Sequence, residues 1–360
     1  MRKRATALAS VWKTRSADRK YASAPARSRR SPIVLSLLVV AQMAGSGAAQ
    51  ALEQTELTAP PISGRSLADP DSILPADVLA RVELLRENVE LIRRFVGRLP
   101  ASPPLMRVEQ AQPHEVYSQA RNLESRTNRL AFEQLRIFRP ETDRAAEVRP
   151  IDTFTVVDSA LSSVLLVKRN LGIQDAVSEK LRPESATPSE VFNASVVASS
   201  EVNNILQYRT SPSDIFRLVT ESVHYAAALH TAIPDGPRLP PMPDFEPNKM
   251  PSDVYELMLE CLSHVDEALT ALGVQSLTVV NVRDLQSKVT PNDVSVLAAL
   301  LLEELTVLHS NVPEAGEPGQ AYHPGVRFPS HVYQRASYLR EILKDVVKSA
   351  AKSVGAKSGE

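Results

Sequence analysis

The sequence predicts an all-α fold: a duplicated unit of four amphipathic helices, about eight in all, each begun by a proline and joined by long proline-rich linkers. Three observations predict it. A short phrase recurs along the chain: proline, any residue, an acid, then an apolar or aromatic pair. Apolar residues then follow at three- and four-residue steps, which places them on one face of a helix. Finally, 12 Gly and 1 Cys among 360 residues argue against a turn-dense β-sandwich, glycine-rich nucleotide loops and a disulfide framework.

Each part of the phrase has a physical reason. Proline at the first helical position gives up no hydrogen bond, because that amide has no acceptor within the helix, and its φ is already helical. An acid two residues later can take a free backbone N–H and lies against the positive end of the helix dipole. The apolar pair opens the buried stripe.

The copies run in order. Pro75 and Asp77 open the first, with Val78, Val82, Leu85, Val89, Ile92 and Val96 as its stripe. Pro113 and Glu115 open the second, Pro150 and Asp152 the third, which should end at Leu171-Gly172-Ile173 with glycine in the left-handed position. Pro188 and Glu190 follow Thr187, and Pro212 and Asp214 follow Ser211. In both places the hydroxyl can cap the helix. Pro251 and Asp253 open a sixth helix along Val254, Met258, Leu262, Val265, Leu269 and Leu272, ending at Gly273. Pro291 and Asp293 follow Thr290, and the eighth copy, Pro329-Ser330-His331, carries a histidine where the acid stands elsewhere.

The prolines are 38, 37, 38, 24, 39, 40 and 38 residues apart. The short step divides the starts into two sets of four, so the expected units are 75–210 and 211–350, after a linker over 52–74 and before a flexible tail over 351–360. Residues Tyr208 to Ser211 leave little slack between the units, which suggests an αα-hairpin there. The linker after the fifth helix, with prolines at 234, 237, 240, 241, 243 and 247, should be extended. An α-solenoid-like repeat is the alternative, and it needs a second short helix in linkers such as QDAVSEKLRP or VNVRDLQSKV. Helix direction stays open. About 15 extended residues reach roughly 50 Å, enough to return along a helix of about 33 Å.

Residues 1–51 read as a secretory signal: ten basic residues and one acidic, an apolar run from Ile33 to Ala41, and Ala49-Gln50-Ala51 as a cleavage pattern. The expected address is extracytoplasmic, periplasmic or secreted, after cleavage near Ala51. The alternative is an uncleaved anchor, and membrane contact is expected only through one or the other. Beyond the leader 31 basic residues face 41 acidic ones, which argues against a nucleic-acid partner.

Candidate chemistry is sparse. Glu221-Ser222-Val223-His224 matches the Glu-x-x-His element of di-iron bundles, but no second copy is found. Glu260 and His264 are four apart, Glu304 and His309 five apart, and Cys261 lies a turn from His264. Glu221, His224 and His264 are therefore weak metal candidates, and Cys261 is better read as core. Tyr117, Phe154, Phe192, Phe216, Tyr255 and Tyr333 recur at one place in the repeat and are expected to plug the core beneath their linkers. Asn193-Ala194-Ser195 fits a glycosylation acceptor pattern. The reading is an exported, non-catalytic binding or scaffolding protein with no cofactor, working through a protein partner or a second copy of itself. A small-molecule sensor or carrier is the alternative, and a metal- or cysteine-dependent enzyme the second.

Overall fold

Each of the eight phrases begins a helix in the computed structural model. It describes residues 72–357 except 144, 146–147, 178–182, 208, 234–235, 282–287 and 323–324, with side chains up to 350. The helices are α1 (Pro75–Phe95), α2 (Pro113–Leu135), α3 (Pro150–Asn170), α4 (Pro188–Ile205), α5 (Pro212–Thr231), α6 (Pro251–Ala271), α7 (Pro291–Ser310) and α8 (Pro329–Lys357). Two short strands join them, β1 (Met106–Glu109) and β2 (Thr278–Asn281). The leader over 1–51 and nearly all of the 52–74 linker lie outside the described residues.

The caps form as the phrase requires. Asp77, Asp152, Glu190, Asp214, Asp253 and Asp293 each accept from the backbone N–H three residues back, at 2.7 to 2.9 Å, and Glu115 accepts from Gln112 in the same way. At α8, His331 takes the acid's place, its Nδ1 accepting from Phe328 N–H at 3.2 Å. Thr187, Ser211 and Thr290 add the reciprocal half, their hydroxyls accepting from the third helical amide. Leu74, Gln112, Arg149 and Met250 at the same position make no such side-chain bond. Glycine sits where the helix ends call for it, with φ of +74° at Gly172 and +75° at Gly273. The amides of Ile173 and Val274 fold back onto Lys168 and Leu269.

The helices close into two rings of four. In the first, α1 and α2 each pack on α3 and α4; in the second, α5 and α6 each pack on α7 and α8. The order around each ring is the same, which is what a duplication predicts. Helix direction, open in the sequence, is decided by the ends. Pro75, Pro113, Pro150 and Pro188 surround one gap of about 40 Å³, and Pro212, Pro251, Pro291 and Pro329 another of about 10 Å³. All four helices of a bundle therefore start at the same end and run parallel. Four aligned dipoles bring four positive ends together, and the acid on every start except that of α8 offsets that repulsion by about 0.3–1 kcal/mol apiece.

Parallel helices oblige each linker within a bundle to travel back along it, and buried tyrosines hold two of them there. Tyr117 Oη donates to Asp143 O and accepts from Ala145 N–H, both at 3.0 Å, while Tyr255 Oη bonds Asn281 Oδ1 at 3.1 Å. Tyr117, Phe154, Phe192, Phe216 and Tyr255 are buried and Tyr333 half-buried, so the recurring aromatic is a core residue under its linker.

The bundles meet through α2 and α7 rather than through the α4–α5 hairpin that the short connection suggested. Moving along α2 from His114 to Arg126 means moving backward along α7 from Glu304 to Asn292, so the bundles lie antiparallel. The strands extend this junction, with β1 and β2 pairing antiparallel from Met106–Asn281 to Glu109–Thr278. Among the described residues, neither QDAVSEKLRP nor VNVRDLQSKV contains a helix, and β2 ends within the latter. The closed rings are the bundle architecture. Asn193 is engaged, its amide donating to Val108 O and Ser189 O and its Oδ1 accepting from Val108 N–H. It lies inside α4, so the sequence pattern falls within a helix. Helix α3 is long and apolar enough to cross a membrane, and more than half of its most apolar stretch is packed inside the bundle. The backbone of α8 remains helical to Lys357, into the stretch expected as a tail.

Candidate functional site: the cleft between the bundles

Because α2 and α7 join the bundles along one line, a cleft of about 640 Å³ opens beside it, walled by α2, α5 and α7. On α2 the lining residues Tyr117, Ser118, Arg121, Asn122 and Ser125 fall at helical spacing, as do Arg217, Leu218, Glu221 and Tyr225 on α5. Leu302, Glu303 and Thr306 line it from α7, and the α7–α8 linker closes it with residues 318–321.

The walls carry mixed charge. Arg217 Nη1 and Glu221 Oε1 are 2.6 Å apart, and Arg121 Nη2 lies 3.6 Å from Glu141 Oε2. The Arg121 guanidinium carbon is 6.0 Å from the centre of the Tyr117 ring. Its other terminal nitrogen, Nη1, is buried without a hydrogen-bond partner. A buried donor left unsatisfied costs about 1–3 kcal/mol, more when charged.

A second polar cluster adjoins the cleft. His114 and Glu115, in the first turn of α2, meet Glu304 of α7, with His114 Nε2 3.6 Å from each carboxylate. The Glu115 and Glu304 side chains are 0% and 2% exposed. Burial first, and the charge of Glu304 second, push the Glu115 carboxyl up to about 9. These are the described residues whose donor atoms could hold a metal.

Sequence reasoning missed this cluster, although one of its three residues left a mark. Glu304 is in phase with Leu297, Leu300, Leu301 and Leu308, an acid inside a buried stripe. Glu115 was hidden by its other role as a cap.

The residues singled out in the sequence lie elsewhere. Glu221 lines the cleft but is paired with Arg217, and His224 Nδ1 is held by Gly319 O at 2.7 Å. His264 Nδ1 is 4.0 Å from Glu267, and Glu260 pairs with Arg340. His309 contacts Gly316 O and the Tyr225 ring. Glu221, His224 and His264 therefore do not converge on a common point. Cys261 is buried, its Sγ 3.7 Å from Ala336 O, and burial pushes its thiol up to about 12. A nucleophile must present a thiolate, so Cys261 is a core residue.

No family model matches the chain, and neither curated proteins nor solved structures yield a similar one.

Proposed function

We propose that the chain is a non-catalytic binding protein that holds a small polar ligand carrying an anionic group in the cleft between its bundles. The single observation that carries this reading is Arg121: a guanidinium on the cleft wall with one terminal nitrogen buried and lacking an acceptor. Glutamates on the same walls suit a second, cationic group, so zwitterions are the first class to try. Size supports the reading too, since about 640 Å³ lies within the range of small-molecule sites. The basic and apolar leader supports an extracytoplasmic address.

Thermal melting of the purified chain with amino acids, dipeptides, dicarboxylates and neutral sugars tests it. A ligand at a hundred times its Kd adds about 2.7 kcal/mol, a rise of about 5 °C or more. The expected result is a rise with anionic or zwitterionic compounds that Arg121→Gln abolishes. Equal response to neutral sugars, no response to the whole panel, or a shift that survives Arg121→Gln overturns the reading.

A scaffold for a second copy is the other reading, favoured by Leu99 and Phe138, which are 83% and 82% exposed just beyond the ends of α1 and α2. Sedimentation decides it: self-association that Phe138→Ser removes supports the scaffold, and a concentration-independent monomer ends it.

A further inference from the structure

Three side-chain atoms converge where the start of α2 crosses α7: His114 Nε2, Glu115 Oε1 and Glu304 Oε1. All three are buried and without a hydrogen-bond partner. They lie within 4.8 Å of one another, the imidazole nitrogen 3.6 Å from each oxygen. At that distance the nitrogen is beyond hydrogen-bond reach of either carboxylate, while the two carboxyls stand close enough to share a proton when no ion is bound.

We infer that His114, Glu115 and Glu304 bind a divalent transition-metal ion, of the zinc or cobalt class, that cross-links the two bundles.

The donor set fits, since one imidazole and two carboxylates are ordinary ligands for these ions. The spacing from the imidazole fits as well: ligands bonded at about 2.1 Å around a tetrahedral ion stand about 3.4 Å apart, close to the 3.6 Å from His114 Nε2 to each carboxylate. Charge agrees, because a dication balances two carboxylates packed side by side. The second oxygen of Glu115 accepts from Gln112 N–H, so the helix cap orients the ligand as an outer partner does in known sites. Three protein ligands leave a fourth position for water. This site is independent of the Arg121 cleft reading, and either can fail alone.

The test uses the full chain stripped by chelator and titrated with Zn(II) by calorimetry and with Co(II) by visible absorption. One ion per chain is expected, with the intense cobalt bands of a four-coordinate site. Zn(II) should also raise the melting temperature. His114→Ala and Glu304→Gln, made separately, should each weaken binding by more than the roughly 10–100-fold that loss of an outer partner costs. A wild-type chain that takes up no ion overturns the inference and leaves a proton shared between the carboxyls. Wild-type affinity in both variants overturns it too. Should the variants fail to fold, imidazole nitrogen NMR of the wild-type chain decides. A metal-bound shift at one of the seven histidines at one equivalent supports the site, and no shift ends it.

Discussion

In the first bundle every pair of adjacent helices is tied by a polar bond; in the second, α7 joins its neighbours through a stripe of aliphatic side chains. Arg81 and Lys168 link α1 with α3 through Asp158 and Asn88, and Arg86 links α1 with α4 through Glu201. Ser163–Asn128 and Gln119–Ser199 do the same for α2 with α3 and α4. In the second bundle Val294, Leu297, Leu301, Leu305 and Leu308 of α7 are almost wholly buried. Two polar side chains of α7, Asn292 and Glu304, instead reach out to α2 of the other bundle. One topology is thus filled in two ways. Polar ties fix which helix faces which, since a wrong pairing strands their partners, whereas apolar packing supplies strength without direction.

Single substitutions can break that comparison. Leu301→Ala removes a side chain with no exposure and is expected to cost about 2–5 kcal/mol in urea unfolding. Arg81→Ala is expected to cost less, about 1–3 kcal/mol, because the Asp158 it abandons is 33% exposed and can turn to water. A larger loss for Arg81→Ala would mean that the first bundle depends on its ties for strength and not only for pairing. Next in size, Tyr117→Phe and Tyr255→Phe should each cost about 0.5–1.5 kcal/mol. Hydrogen exchange should rise in the linker each tyrosine holds, 136–149 and 272–290, and a change confined to the helix would contradict the tether. Smallest is a gain: His331→Asp completes the eighth cap and should stabilise by about 0.3–1 kcal/mol. A lower melting temperature would show that the His331 ring, 5.1 Å from that of Phe245, matters more than the cap.

Legibility followed the range of the interaction. Pro75 to Pro329 could be read because proline, hydroxyl and acid act within four residues, and so could Gly172 and Gly273. Direction could not, since the linkers are long enough to reach either end of a helix. The β1–β2 pair, four residues a side and joined across nearly half the chain, left no periodicity to read. The cleft was illegible because it depends on α2 and α7 meeting, and nothing local to either helix names the other. Glu304 is intermediate: its place in an apolar stripe announced burial, but not that His114 and Glu115 would be waiting.

The ring order sets a schedule for acquiring the native state. A bundle of hairpins can zip, each helix folding onto the one just completed. Here α1 packs on α3 and α4 and faces α2 only across the ring, so its greasy stripe has no lasting neighbour until the stretch from Pro150 onward exists. The same delay recurs for α5. Contacts this distant along the chain slow folding relative to a helical protein of similar stability. A chain emerging from the ribosome must therefore carry two unmatched helices before either can be put away.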